Sequence, residues 1–142
     1  MPVAEALAEL LKGVSPRETE TVELADANGR ILSRDLASTR TQPPFAASAM
    51  DGYAVRAEDV ANAPATLTVI GEAPAGHGFE GAVGPGQAVR IFTGAPVPEG
   101  ADTILIQEDA LRDGDKVTAN ECPARGLFVR PAGLDFSKGE VL

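Results

Sequence analysis

Pro43-Pro44-Phe45-Ala46-Ala47-Ser48-Ala49-Met50-Asp51-Gly52-Tyr53-Ala54-Val55 is the stretch on which the reading of this chain turns. Two prolines stiffen the approach, and Ser48, Asp51 and Gly52 then put a hydroxyl, a carboxylate and a permissive backbone position within five residues. A polar, turn-rich lead from Ser38 to Gln42 precedes the stretch and an apolar run through Tyr53 and Val55 closes it. The segment is therefore expected to cross from loop into strand, where a rigid scaffold presents polar groups. The plainer alternative is that Asp51-Gly52 is only the turn of a β-hairpin.

Working outward toward the C-terminus, Arg56 to Ala63 reads as a polar connection with room for one helical turn. Thr66 to Gly71 reads as a strand, its Leu67, Val69 and Ile70 flanked by Pro64 and Pro74. Pro74 to Gly86 carries five glycines and the only histidine, His77, which reads as a solvated loop residue because no second His and no nearby Cys accompanies it. Ala88 to Phe92 forms the next strand and delivers Thr93-Gly94-Ala95-Pro96 at its end. There Thr93 either serves a ligand or hydrogen-bonds its own turn, and Gly94 permits close backbone approach.

Asp102 to Ile106 is a β-branched strand leading into Gln107-Glu108, where Glu108 either faces a site or is a solvated edge carboxylate. Asp113-Gly114-Asp115 predicts a hairpin turn returning through Lys116, Val117 and Thr118. Leu127 to Arg130 is a last strand, followed by a loop from Pro131 to Gly139 in which Asp135 has Arg130 and Lys138 as nearby cations.

Toward the N-terminus, Val3, Ala6, Leu7, Leu10 and Leu11 recur at the spacing of one helical face, with Pro2 suited to the first turn and Gly13 to the end. So short a helix is marginal alone, and its stripe must dock on something. Glu20 to Glu23 reads as a brief strand, Leu24 to Asn28 as a helical turn closed by Gly29, and Arg30 to Leu36 as a further extended or helical run.

At 142 residues and 44% hydrophobic content the chain has material for a core without staples, and a single Cys122 cannot form an internal disulfide. A free thiol fits a reducing compartment, no apolar run approaches the ~20 residues that span a bilayer, and the N-terminus lacks a secretory pattern, so a cytoplasmic protein is expected. Twelve basic against 21 acidic residues give a formal charge of −9, which repels phosphate backbones and argues against nucleic-acid binding. Aromatic residues make up only 4%, while 15 glycines and 11 prolines imply many tight turns between short elements. A Walker A loop, a G-x-G-x-x-G fingerprint, paired CxxC motifs and HExxH are all absent.

The run Ser48-Ala49-Met50-Asp51-Gly52-Tyr53-Ala54-Val55 resembles the signature of molybdopterin molybdenumtransferases, a family that includes the E domain of gephyrin. Three later runs resemble that family in the same order: Arg90-Ile91-Phe92-Thr93-Gly94-Ala95-Pro96-Val97-Pro98-Glu99-Gly100-Ala101-Asp102, Gln107-Glu108, and Arg130-Pro131-Ala132-Gly133-Leu134-Asp135.

The resemblance implies a reaction in which adenylylated molybdopterin and molybdate, with Mg2+, yield the molybdenum cofactor and AMP. It associates Asp51, Thr93 and Asp135 with the active site, Asp51 and Asp135 positioning metal or substrate and Thr93 giving a hydrogen bond. Ser48, Gly52, Tyr53, Arg90, Gly94, Glu108 and Lys138 are the further substrate-side residues. An acidic chain holds such an anion only through local cations, backbone N–H groups or a bridging divalent ion, which is why Mg2+ is the expected cofactor. Ala46-Ala47 departs from the polar pair that many members carry there, so side-chain contacts from these positions are lost.

The resemblance further implies a homodimer and a β-rich α+β fold of short strands and long Gly/Pro loops with an N-terminal helix. Its expected divisions are residues 1–40 as helix and linking region, 41–127 as the motif-bearing β portion and 128–142 as a return to the linking region. The expectation is an N-terminal fragment, inactive alone, that forms one wall of a composite site. A non-catalytic dimerisation or scaffold module is the alternative.

Overall fold

A computed structural model describes all 142 residues. The chain divides into two compact units, Met1–Leu36 and Ala37–Leu142.

In the first unit, α1 spans Val3–Leu11 as the apolar spacing predicts, with Pro2 at its N-cap and its end at Lys12, ahead of Gly13 at φ 85°. None of its residues is buried, and Val3, Leu7, Leu10 and Leu11 stand exposed. Leu24–Asp26 is a 3₁₀ turn, and Gly29 at φ 78° ends that corner as expected. The strand expected at Glu20 to Glu23 does not form, and Arg30 to Leu36 has no regular structure. A strand needs a neighbour to take its backbone hydrogen bonds, and no segment of this unit supplies one.

The second unit is a six-stranded mixed sheet plus a two-stranded ribbon. Its strands are β1 (Ala47–Ser48), β2 (Gly52–Val55), β3 (Ala65–Ala73), β4 (Gln87–Ile91), β5 (Thr103–Ile106), β6 (Ala110–Asp113), β7 (Lys116–Ala119) and β8 (Val129–Arg130). The order is β5-β2-β4-β3-β7-β6, antiparallel except for the β3–β4 pair, and β1 pairs with β8 apart from it. The sheet is curled, and one 3₁₀ turn, Gln107–Asp109, leads from edge strand β5 to β6 at the other edge. This β-rich α+β architecture is the expected fold class.

Both faces of the sheet are covered. Tyr53, Val55, Val60, Leu67, Ala88, Leu105, Val117 and Ala119 form one buried cluster; Ala54, Ala73, Val83, Val89, Ile91, Ala95 and Ile104 form the other. Alternate residues of β2, β4 and β5 feed opposite clusters, which is the two-residue period of a strand buried on both sides. Full burial of Leu105 or Ile91 contributes roughly 1.5–3 kcal/mol each.

The hairpin read from Asp113-Gly114-Asp115 joins β6 to β7 as expected. Asp51-Gly52 is not a hairpin turn: Gly52 already lies in β2, held between Ile91 and Ile106, while β1 pairs with distant β8. Leu127 to Arg130 is shorter than expected, with only Val129 and Arg130 in β8. Two glycines lie hard against backbone carbonyl oxygens. A Cβ on Gly52 would lie 2.1 Å from the Leu105 carbonyl oxygen, and one on Gly100, at φ 85°, would lie 2.3 Å from the Val83 carbonyl oxygen.

The segment from Ala37 to Ser48 is tied to the end of the chain, through Ala37 opposite Val141, Gln42 opposite Phe136 and Ala47 opposite Arg130.

Candidate functional site

Two loops meet where β2 begins and β4 ends. The first contains Ser48, whose buried hydroxyl donates to the Met50 carbonyl at 2.6 Å and closes a tight polar turn. The second contains Thr93-Gly94-Ala95-Pro96. Reciprocal backbone bonds lace them together: Ser48 N–H to Ala95 O at 2.9 Å, Gly94 N–H to Ser48 O at 2.8 Å and Val97 N–H to Ala46 O at 2.9 Å.

The lacing presents Asp51 to Thr93. Asp51 Oδ1 accepts the Thr93 backbone N–H at 2.8 Å and the Thr93 hydroxyl at 2.7 Å. The Thr93 N–H, then its hydroxyl, and more weakly the nearby Arg90 guanidinium hold the Asp51 carboxyl below the ordinary aspartate range, against a smaller upward push from lost hydration. Asp51 Oδ2 has no partner within the chain. The Thr93 hydroxyl has spent its proton on Asp51, so outwardly it can only accept.

Arg90, directly across from Tyr53 in the β2–β4 pair, lies behind this corner. Its guanidinium carbon is 5.3 Å from the Tyr53 ring centre and 4.7 Å from that of Phe92. Nη1 donates to the Gly52 carbonyl at 3.0 Å and Nη2 to Gln107 Oε1 at 2.9 Å. The Gln107 backbone N–H in turn donates to the Asp51 carbonyl at 3.1 Å.

The family model described as MoeA N-terminal region (domain I and II) matches residues 1–142. The chain belongs to this family. It is 40% identical, over all of its length, to a molybdopterin molybdenumtransferase of Nostoc sp., of which it covers 35%. It is 40% identical over 89% of its length to a molybdopterin molybdenumtransferase of Haemophilus influenzae, of which it covers 31%. A crystal structure of a molybdopterin biosynthesis moeA protein from Pyrococcus horikoshii OT3 superposes with a TM-score of 0.86 at 40% identity, covering 99% of this chain and 38% of that one. The chain thus spans about a third of the length of the curated relatives it matches.

In this MoeA N-terminal region the expected site residues have different hydrogen-bond partners. Asp51, Gly52, Tyr53, Arg90 and Thr93 gather at the corner just described. Both oxygens of Asp135 accept from Arg130 Nη2, at 2.7 and 2.8 Å. Arg130 lies only five residues away, at the end of β8, and neutralises that carboxylate locally. Lys138 gives its backbone N–H to Thr41 Oγ1 at 3.2 Å, and Glu108 is exposed, with the Gln107 amide 3.4 Å away.

Ser48 and Tyr53 are 1% and 6% exposed, so both shape the corner from within. Gly94, at φ 83° with nothing within 4 Å of a Cβ position, leaves open space beside Thr93, though its N–H is already given to Ser48.

No group of three or more His, Cys, Asp or Glu gathers into an in-chain metal cage. Asp51 Oδ2 is the oxygen that suits Mg2+, an ion commonly held by one or two carboxylates with the remaining positions filled by water and phosphate oxygens.

Read from the sequence, Glu108 has a site role, whereas Gln107 and Phe92, though both lie in the motif runs, have none. A period-2 signal was present: Tyr53 and Leu105 share a buried cluster, and Gln107 is the next residue two along from Leu105.

Proposed function

We propose that this chain supplies one wall of the active site at which adenylylated molybdopterin and molybdate give the molybdenum cofactor and AMP. The Asp51–Thr93 pair carries this reading. It joins two of the family's motif runs in one exposed corner and keeps a carboxylate ionised with an oxygen facing outward.

The stabilising donors are neutral, so they favour the negative charge without cancelling it. Asp51 can therefore hold a cation or a donor group of the substrate, and Thr93 fixes the direction of that carboxylate. Gly94 leaves room beside them for a substrate group to approach. When bound, Mg2+ would neutralise phosphate oxygens of the anhydride whose cleavage releases AMP. Among the chain's charges, Asp135 is offset by Arg130, so the reading places the larger burden on Asp51.

The deciding experiment replaces the matching segment of the full-length Nostoc relative with this chain. The chimera is supplied with adenylylated molybdopterin, molybdate and Mg2+, and AMP release and cofactor formation are followed. Turnover is expected from the chimera, none from the chain alone, and a large loss from Asp51→Asn; undiminished turnover by that variant sinks the proposal.

The exposed face of α1 favours a second role in association. Val3, Leu10 and Leu11 are 86%, 77% and 56% exposed, a stripe suited to covering by another surface, as a homodimer would provide. Leu10→Glu that alters oligomeric state while sparing turnover supports a scaffold role; unchanged association counts against it. A cytoplasmic place of action is supported by the free Cys122 thiol. No helix is long and apolar enough to cross a membrane.

A further inference from the structure

Arg90 lies beside the candidate site, and a cation beside an anion-processing corner invites assignment as a substrate ligand. Its surroundings point elsewhere. The guanidinium rests against Tyr53 and Phe92, and two of its N–H groups are committed to Gly52 O and Gln107 Oε1. Those partners form a closed circuit. The Gln107 backbone holds the Asp51 carbonyl, the Gln107 side chain meets Arg90, and Arg90 returns to the carbonyl of Gly52, the residue after Asp51. Both peptide groups that follow Asp51 and Gly52 are thereby pinned, which fixes where the Asp51 side chain leaves the backbone.

Sheet geometry makes the circuit specific to this site. Arg90 sits opposite Tyr53, and Gly52 sits opposite both Ile91 and Ile106, so the three strands that meet at Asp51 are linked through one planar side chain. A planar fork stacked on rings and donating to two fixed acceptors is a task for arginine. An ammonium is a point charge on a flexible stem and cannot reproduce it.

We infer that Arg90 is a positioning residue for Asp51, acting through Gly52 and Gln107 to aim the carboxylate at Thr93, and that it does not itself hold the substrate. This rests on the reading of Asp51 and Thr93 as the functional pair.

The test uses Arg90→Lys, Arg90→Gln and Gln107→Ala in the 142-residue chain, with amide hydrogen exchange read at Thr93 and, as an internal reference, at Val117 and Thr118 of β7. Loss of the circuit is expected to speed Thr93 exchange by about tenfold in both Arg90 variants and by less in Gln107→Ala, with the β7 amides unchanged. Full Thr93 protection in all three variants overturns the inference, and so does protection kept by Lys but lost by Gln, since charge alone would then suffice. Gln107 is exposed, so its variant supplies the answer if the Arg90 variants do not fold.

In the chimera, Arg90→Lys is expected to lower kcat with KM for adenylylated molybdopterin within about twofold. A raised KM with kcat intact makes Arg90 a substrate ligand and overturns the inference. Should Asp51→Asn leave turnover undiminished, the site reading fails separately, and the exchange result still reports on the circuit.

Discussion

The Asp51 corner and the Arg130–Asp135 loop each hold an aspartate in a glycine-containing polar loop, yet they treat its charge differently. Asp135 is met by a guanidinium five residues away, with both partners 41% exposed. Asp51 is met by a backbone N–H and a hydroxyl 42 residues away in sequence, with the cationic Arg90 turned toward Gly52 and Gln107. A local ion pair cancels charge; neutral donors brought from afar stabilise a charge and leave it to act on something else. Two residues of one type, both in motif runs of one family, thus offer different chemistry because of what the fold sets beside them.

The largest effect expected is from Gly52→Ala, which drives a Cβ into the Leu105 carbonyl and should cost roughly 3 kcal/mol or more of unfolding free energy. A melting transition close to that of the parent would show that the Asp51 corner is not anchored on this strand contact. Asp51→Asn in the chimera should lose about 100-fold in turnover with the fold intact. If Asp135→Asn loses as much, the contrast between the two carboxylates breaks.

Thr93→Ala removes the hydroxyl but keeps the backbone donor, so about a tenfold loss of turnover is expected, with recovery in Thr93→Ser. Acid titration of the fold sharpens the contrast further. Asp51 has its folded pKa below its unfolded value, so the unfolded state binds the extra proton. Its contribution is present above the ordinary aspartate range and lost as pH falls through the lowered folded value. Asp51→Asn should flatten that acid limb in a urea-unfolding series, and an unchanged limb would contradict the depressed pKa. Smallest of all, Asp135→Asn should change stability by only about 0.2–1 kcal/mol, the usual worth of an exposed ion pair.

Much of the second unit was legible in the chain. The strands around Leu67, Val89 and Ile104 and the turn at Asp113-Gly114-Asp115 follow from β-branched runs and turn residues, which act over a few positions. Glu20 to Glu23 misled because local propensity is silent about whether a partner strand exists. Asp51-Gly52 misled differently: the dipeptide suits a hairpin, but the glycine is needed for the close approach of Leu105 across the β2–β5 pair. Gln107 was overlooked because its role depends on an arginine 17 residues away that it meets only in the folded sheet.

By itself the sequence determined the family, through four ordered motif runs, together with the helix α1, the principal strands and the acidic, turn-rich character of the chain. These are properties of neighbouring residues or of their order, and they survive without knowledge of contacts. Only the tertiary structure decided the order β5-β2-β4-β3-β7-β6, the lacing of Ser48 to Ala95, and the different partners given to Asp51, which meets Thr93, and Asp135, which meets Arg130. Hydrogen bonds between distant segments form where packing of the two buried clusters brings those segments together, and that packing is a property of the whole sheet.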